Sequence, residues 1–240
     1  MDAIQAAGGI IAGVSLDIPG MGHKNPRTGR IEGFEPDVAR AIAATLLGSP
    51  DRVEFRPVTD AARIPLLKGD QLDMVLSQLT ITPDREEQVD FSIPYLVTRE
   101  ALLVPRGSSI KGFDDLKGKR IAAVAGSISI RRMRASLPNE TIVETPLSSG
   151  CLDAVAAGEA DAASNDLINL MMLQRASGNP DAYSLIDIGA HFDEKPFGVA
   201  VKKGRRSLVE LLNKAIGTLK ANGEIDRLLK DNIARLSAAT

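Results

Sequence analysis

The sequence predicts an α/β protein made of two lobes of like construction. Short apolar runs alternate with stretches of helical periodicity along the chain, the pattern of strands and helices packed in layers. Two segments echo each other: residues 64–80 and 151–166 each run helix, glycine (Gly69, Gly158), aspartate (Asp73, Asp161), apolar strand and polar loop. The length, 240 residues, suits one large domain or two modest lobes.

Residues 9–15 form the first predicted strand, followed by a polar loop rich in Gly and Pro over 19–33. Pro36 lies near the start of a helix whose apolar face is Val38, Ala39, Ile42, Ala43 and Leu46, and Gly48 ends it. Residues 53–56 alternate as a strand. A short helix over 61–68 closes at Gly69. Residues 74–76 are a buried strand leading into the polar loop 77–84. Strands are predicted at 101–104, 121–124, 142–143, 160–163, 183–186 and 198–201, with a helical turn at 113–116. Gly126 and Ser127 open a helix to about residue 136, residues 149–157 form another that stops at Gly158, and Asn165-Asp166 caps a third to about residue 176. Helices over 208–219 and 225–236, separated by Asn222-Gly223, complete the chain. In such lobes ligands collect at the carboxyl ends of strands, which is where the polar loops 77–84 and 164–166 are expected, facing one cleft.

Composition removes several function classes. Lys and Arg number 29 against 31 Asp and Glu, a formal net charge of −2, with 44% hydrophobic and 25% charged residues. A near-neutral chain whose densest basic stretch is Arg131-Arg132-Met133-Arg134 is no electrostatic binder of nucleic acid. No apolar run approaches the ~20 residues that span a bilayer. Cys151 stands alone, which excludes an intrachain disulfide framework and a Cys-rich zinc site, and only His23 and His191 offer imidazoles. No Trp, two Tyr and six Phe make a base-stacking platform a poor fit. The N-terminus, with the short amphipathic lead Asp2-Ala3-Ile4-Gln5, lacks the order of a signal peptide. Taken literally it reads as cytoplasmic, and a mature secreted domain behind a new Met looks identical.

The sharpest local signal is Gln78-Leu79-Thr80-Ile81-Thr82-Pro83-Asp84-Arg85. Thr82 can cap a helix beginning at Pro83, leaving backbone N–H groups to meet an anion. Arg85, one turn on, can form a fork-to-fork pair with a carboxylate. The competing reading is a capped helix with a solvated arginine.

Thr80-Ile81-Thr82-Pro83-Asp84-Arg85 followed by Val89-Asp90-Phe91-Ser92-Ile93-Pro94-Tyr95 resembles the signature of bacterial solute-binding proteins of the polar-amino-acid type, family 3, which serve ABC importers. The resemblance continues through Gly33-Phe34-Glu35-Pro36-Asp37, Ile110-Lys111-Gly112-Phe113-Asp114-Asp115-Leu116 and Pro196-Phe197-Gly198-Val199-Ala200-Val201, in order along nearly the whole chain. It implies the type II periplasmic-binding-protein-like fold: lobe 1 at 1–97 and 193–240, lobe 2 at 98–192, two hinge strands, and closure on an amino acid. It also implies a periplasmic or extracellular location with the signal sequence absent, a permease partner, a monomer, no catalysis and no cofactor or metal.

By position, Arg85 looks like the arginine that clamps the ligand α-carboxylate, and Thr80 like the residue that adds hydroxyl and backbone N–H contacts. Gln78 sits where a backbone carbonyl meets the ammonium. Asp166 matches the second-lobe carboxylate for that ammonium, and Gly126-Ser127 the loop completing the carboxylate site. Ile128 stands where a second hydroxyl residue is usual, which removes one hydrogen bond. The chemistry is coherent: a zwitterion needs donors at one end and an anion at the other, because a buried unpaired charge is strongly disfavoured. Helix capping competes as the role of Asp166 and shares Ser127 with ligand contact.

Ligand choice reads less directly. Arg63 in Arg63-Ile64-Pro65 resembles the arginine of glutamate/aspartate-type members that reaches a side-chain carboxylate, but Asp60 lies where it can neutralise it, and a surface Arg63–Asp60 pair is the competing reading. Ser15 and Ser148 stand at pocket positions where acidic-ligand binders use basic residues. Ile18 and Met21 replace aromatics, which either widens the cleft or is plain packing. His23, Lys24 and Arg30 suit a solvated loop, His191 a structural place near the hinge, and Cys151 a buried inert thiol. The expected ligand is glutamate-, aspartate- or glutamine-like. The alternatives are a dehydratase-like enzyme on the same scaffold, needing a general acid in the cleft, and a reconstructed or engineered binder with a changed ligand.

Overall fold

The computed structural model describes residues 8–239; the predicted lead at residues 2–5 lies outside them. The chain folds into two α/β units. Unit 1 takes the described residues up to Leu96 with Pro196–Arg235, and unit 2 takes Val97–Lys195 with the end of the last helix from Leu236.

The sheet of unit 1 has the order β5-β1-β6-β13-β7. Its strand β1 (Ile10–Val14) lies parallel between β5 (Val53–Pro57) and β6 (Met74–Leu76), with Ala12 opposite both Phe55 and Met74. β13 (Lys195–Lys202) runs antiparallel to β6, and β7 (Val89–Thr98) forms the edge. β1 and β6 are flanked on both sides, so they read as apolar runs. The long β7 is absent from the pattern-based reading. Pro94 sits in its middle, and a proline is tolerated there because β7 is an edge strand. The chain passes between units within β7 and at the start of β13.

Helix α1 (Phe34–Leu47) buries Val38, Ala39, Ile42 and Ala43 of the predicted face, leaves Leu46 half-buried, and ends where Gly48 turns left-handed with its N–H on the Ala44 carbonyl. α2 (Arg63–Lys68) ends at Gly69, but Gly69 keeps φ −83° and Asp70 takes the left-handed turn at φ 56°. Asp70 is also held by Lys202 and Arg205. α3 (Pro83–Glu86) is a single turn, and α7 (Arg206–Ala221) and α8 (Glu224–Ala239) close the chain.

The stretch predicted as a loop at 19–33 is instead a small antiparallel sheet of β2 (Asp17–Ile18), β3 (Gly22–Lys24) and β4 (Ile31–Glu32). Its close packing at β3 and the step from β4 into α1 depend on glycine. A Cβ at Gly22 would stand 2.2 Å from the Ser15 carbonyl oxygen, and one at Gly33 (φ 132°) would stand 2.6 Å from the Met21 carbonyl. Polar composition masked these strands because each is only two or three residues long.

Unit 2 repeats the plan with the order β10-β9-β11-β8-β12. Here β9 (Arg120–Val124) lies parallel to β10 (Thr141–Thr145) and β11 (Ala162–Asp166), while β8 (Glu100–Pro105) is antiparallel to β11 and β12 (Tyr183–Asp187). Helices α4 (Ile128–Ser136), α5 (Ser148–Ala156) and α6 (Leu167–Ala176) accompany it. Apolar residues cluster into two cores, one around Leu103, Ala122 and Cys151 and the other around Leu102, Ile121 and Met133. Residues 164–166, predicted as a loop, belong to β11. Their polar side chains are accommodated because the Ser164 hydroxyl donates to Glu100 at 2.9 Å, the Asn165 amide donates to Ser148 at 3.1 Å, and Asp166, which the register sets opposite Glu100, shares the Lys195 ammonium with it.

Candidate functional site

In unit 1 the candidate residues gather on the segment that follows β6. Gln78 carries φ 47°, a left-handed conformation that costs a non-glycine residue on the order of 1 kcal/mol and therefore needs support. Glu35, fully buried in the first turn of α1, supplies it. One carboxylate oxygen accepts the Gln78 backbone N–H at 2.7 Å, the other accepts its side-chain amide, and the Tyr95 hydroxyl donates to the first. Burial pushes the Glu35 carboxyl up to about 7 against the opposing pull of those donors.

Thr80 is buried and bridges to Phe197. Its carbonyl accepts from the Arg85 guanidinium at 2.8 Å, which fixes the direction of that side chain. Arg85 is 6% exposed, so the solvated-arginine reading is excluded. Thr82 occupies the N-cap position with Pro83 next, but its hydroxyl makes no capping bond and is buried without a hydrogen-bond partner. The capping expectation is corrected to that extent: the turn rests on the extended φ and ψ of Thr82, the fixed φ of Pro83 and the Thr82 carbonyl, which accepts the Arg85 and Glu86 N–H groups at 3.0 and 2.9 Å.

Arg63 is 1% exposed, which corrects the surface-pair reading. The pair with Asp60 exists at 3.1 Å, but inside the unit, and the same guanidinium nitrogen also donates to the Ser77 carbonyl. Its Nε–H is buried without a partner, as is the Ser77 hydroxyl. Ser15 is buried, and Ile18 and Met21 are fully buried, as the packing reading of these two residues expects. His23 lies in β3 with Nδ1 buried and unpartnered, while Lys24 and Arg30 are exposed.

In unit 2, Ser127 caps α4, its hydroxyl accepting the Ile130 N–H at 3.1 Å. A hydroxyl that accepts there keeps its own proton to donate. Gly126 before it has φ 78°. Ile128 begins the helix half-buried. Ser148 opens α5 and accepts from the Asn165 amide at 3.1 Å. Asp166 sits at the N-cap of α6 without a side-chain capping bond, so capping is not its role. Its carboxylate instead meets the Lys195 ammonium at 2.9 Å and the Asn169 amide at 3.2 Å. Lys195 is wholly buried and also donates to Ser129 at 2.9 Å and to Glu100 at 3.2 Å; Arg132 reaches Glu100 at 3.3 Å. Cys151 is buried with Sγ 3.0 Å from the Thr145 hydroxyl, and His191 stacks on Phe113 at 4.8 Å.

Glu35, Glu100 and Lys195 were missed as site-shaping residues. A signal for Glu35 exists in the sequence: it falls at 35, 38, 39, 42, in register with the apolar stripe of α1. Glu100 likewise leads directly into the apolar run of β8.

The profile of bacterial extracellular solute-binding proteins, family 3, matches residues 10–234. The chain belongs to this family. It is 35% identical over 229 residues to the ABC transporter glutamine-binding protein GlnH of Bacillus subtilis (strain 168), covering 95% of this chain and 82% of that relative. Among solved structures, an ancestral arginine-binding protein bound to glutamine superposes with a TM-score of 0.82 at 33% identity, over 93% of this chain and 97% of that one. The ancestral amino-acid-binding protein AncCDT-1, a precursor of cyclohexadienyl dehydratase, superposes with a TM-score of 0.85 at 30% identity, over 97% and 98%. The chain has the type II fold of two α/β units seen in these amino-acid-binding proteins. Among the described residues no helix is long and apolar enough to cross a membrane.

Proposed function

We propose that this chain captures a polar amino acid outside the cytoplasmic membrane and presents it to the permease of an ABC importer, without transforming it. The observation that carries this reading is the buried Arg85 guanidinium held in direction by the Thr80 carbonyl, in a family 3 chain. A fixed, dehydrated guanidinium suits a carboxylate because the fork pairs with both oxygens and little side-chain entropy remains to be lost. In this reading Arg85, Thr80 and the Gly126-Ser127 segment take the α-carboxylate, while Asp166 and the Gln78 carbonyl take the α-ammonium. Arg63, compensated by Asp60 and the Ser77 carbonyl, offers less to a side-chain carboxylate than an isolated arginine does, so within the glutamine, glutamate and aspartate class we favour the neutral amide. GlnH, similar over most of the chain, carries a glutamine-binding name and supports the same choice.

The test is a thermal-shift and calorimetric comparison of the four ligands glutamine, glutamate, aspartate and arginine. Glutamine is expected to bind most tightly, and at a hundredfold excess over Kd it stabilises the fold by about 2.7 kcal/mol. Arg85→Ala is expected to abolish that binding. Unchanged affinity in Arg85→Ala overturns the carboxylate role, and equal shifts for all four ligands overturn the choice of class. Turnover of a prephenate-like acid would instead favour the dehydratase alternative.

A further inference from the structure

Resting on the assignment of Asp166 to the ligand ammonium, we propose that Lys195 is a specificity-determining residue: an internal ammonium that competes with the α-ammonium of the ligand for the same carboxylate. Lys195 is fully buried, and its Nζ reaches Asp166 Oδ1 at 2.9 Å, Glu100 Oε2 at 3.2 Å and Ser129 Oγ at 2.9 Å. Its rivals for Glu100 are Arg132, at 3.3 Å, and the Ser164 hydroxyl, at 2.9 Å. The four charged groups, Asp166, Glu100, Lys195 and Arg132, sum to zero. A ligand ammonium reaching Asp166 therefore meets a carboxylate that already holds a cation, and must either displace that cation or sit beside it.

Both outcomes lower what the α-amino group contributes to affinity. Displacement leaves Lys195 on Glu100 and Ser129 with one carboxylate fewer. Coexistence sets two ammonium groups against one another where water is excluded and the effective dielectric is low. The carboxylate end of the ligand is untouched by either. The consequence is a site that discriminates weakly between an amino acid and the same acid lacking its amine, and Lys195 sets that ratio.

The experiment titrates the full chain by calorimetry with L-glutamine and with 4-carbamoylbutanoate, which is glutamine without its α-amino group. Wild type, Lys195→Met and the double variant Lys195→Met/Glu100→Gln are compared. The double variant removes one charge of each sign from the cluster and keeps the fold testable if the single substitution unfolds. The ratio of the two affinities is expected to favour glutamine by about tenfold more in either folded variant than in wild type, the scale of one charge-assisted contact. A merely structural lysine would change both affinities together and leave the ratio in place; an unmoved ratio with both ligands still bound overturns the proposal alone. Binding of neither ligand to any of the three proteins overturns the amino-acid reading and this proposal with it.

Discussion

The two units bury a glutamate each, and they handle it in opposite ways. In unit 1, Glu35 faces neutral donors at hydrogen-bond distance: the Gln78 backbone N–H and amide, and the Tyr95 hydroxyl. In unit 2, Glu100 meets two cations, Lys195 and Arg132, and one hydroxyl. Glu35 lies in the first turn of helix α1 and Glu100 at the start of strand β8, so the contrast follows from which side chains each place brings to the carboxylate. Neutral donors leave burial dominant, and the carboxyl of Glu35 is pushed up to about 7. Ion partners tie Glu100 into a network in which each member depends on the others.

The largest expected effect follows from that dependence. Glu100→Ala leaves the buried Lys195 and the half-buried Arg132 one carboxylate short, and removing one partner of a buried ion pair costs about 3–5 kcal/mol. Urea unfolding at neutral pH checks it. A loss below about 1 kcal/mol would mean that Asp166 alone suffices for Lys195 and that the contrast between the units is overstated.

The second effect belongs to Glu35 and is read against pH. Its folded value, about 7, lies above the ordinary 4.5. Between those limits the folded chain holds a proton that the unfolded chain has released, so this group makes stability fall as pH rises from 4.5 towards 7 and flatten above it. The full change is about 3 kcal/mol, an order-of-magnitude figure. Glu35→Gln mimics the neutral acid and is expected to remove the slope. Denaturant midpoints for both proteins across pH 5–8 decide the matter; parallel curves would show that Glu35 does not titrate in this window.

These buried charges mark the limit of what the residues disclose by pattern. The echo between residues 64–80 and 151–166, the apolar face of α1 and the strands at 74–76 and 121–124 are legible because their periods are dictated by one neighbouring layer. The Arg85 segment is legible because Thr-Pro and a following arginine carry local chemistry. Lys195 and Glu100 are not, since 95 residues separate them and their strands, β13 and β8, belong to different sheets, so only the folded chain brings them to 3.2 Å. Arg63 misleads for a related reason: Asp60 is visible three residues away, while the Ser77 carbonyl that draws the guanidinium inside is not.

The echo itself supplies the finest test. In unit 1 the Asp73 carboxylate accepts the Ile11 N–H at 2.9 Å while its own N–H donates to the Ile11 carbonyl at 2.9 Å. In unit 2 Asp161 does the same with Arg120, at 2.8 Å for each bond. Both aspartates thus stitch the start of one strand to the neighbouring strand of its sheet. They differ in surroundings. Asp161 is also gripped by the Arg120 guanidinium at 2.9 Å, which holds its carboxyl below the usual range, yet the pair is largely exposed. Asp73 is more enclosed, with Arg205 farther off at 3.4 Å. Water can replace the lost acceptor more easily at Arg120 than at Ile11. Asp73→Ala is therefore expected to cost about 1–3 kcal/mol and Asp161→Ala about 1 kcal/mol or less. Amide hydrogen exchange at Ile11 and Arg120 reads the two sites separately. Faster exchange at Arg120 than at Ile11, each in its own variant, would reverse the order and show that the guanidinium contributes more than enclosure does.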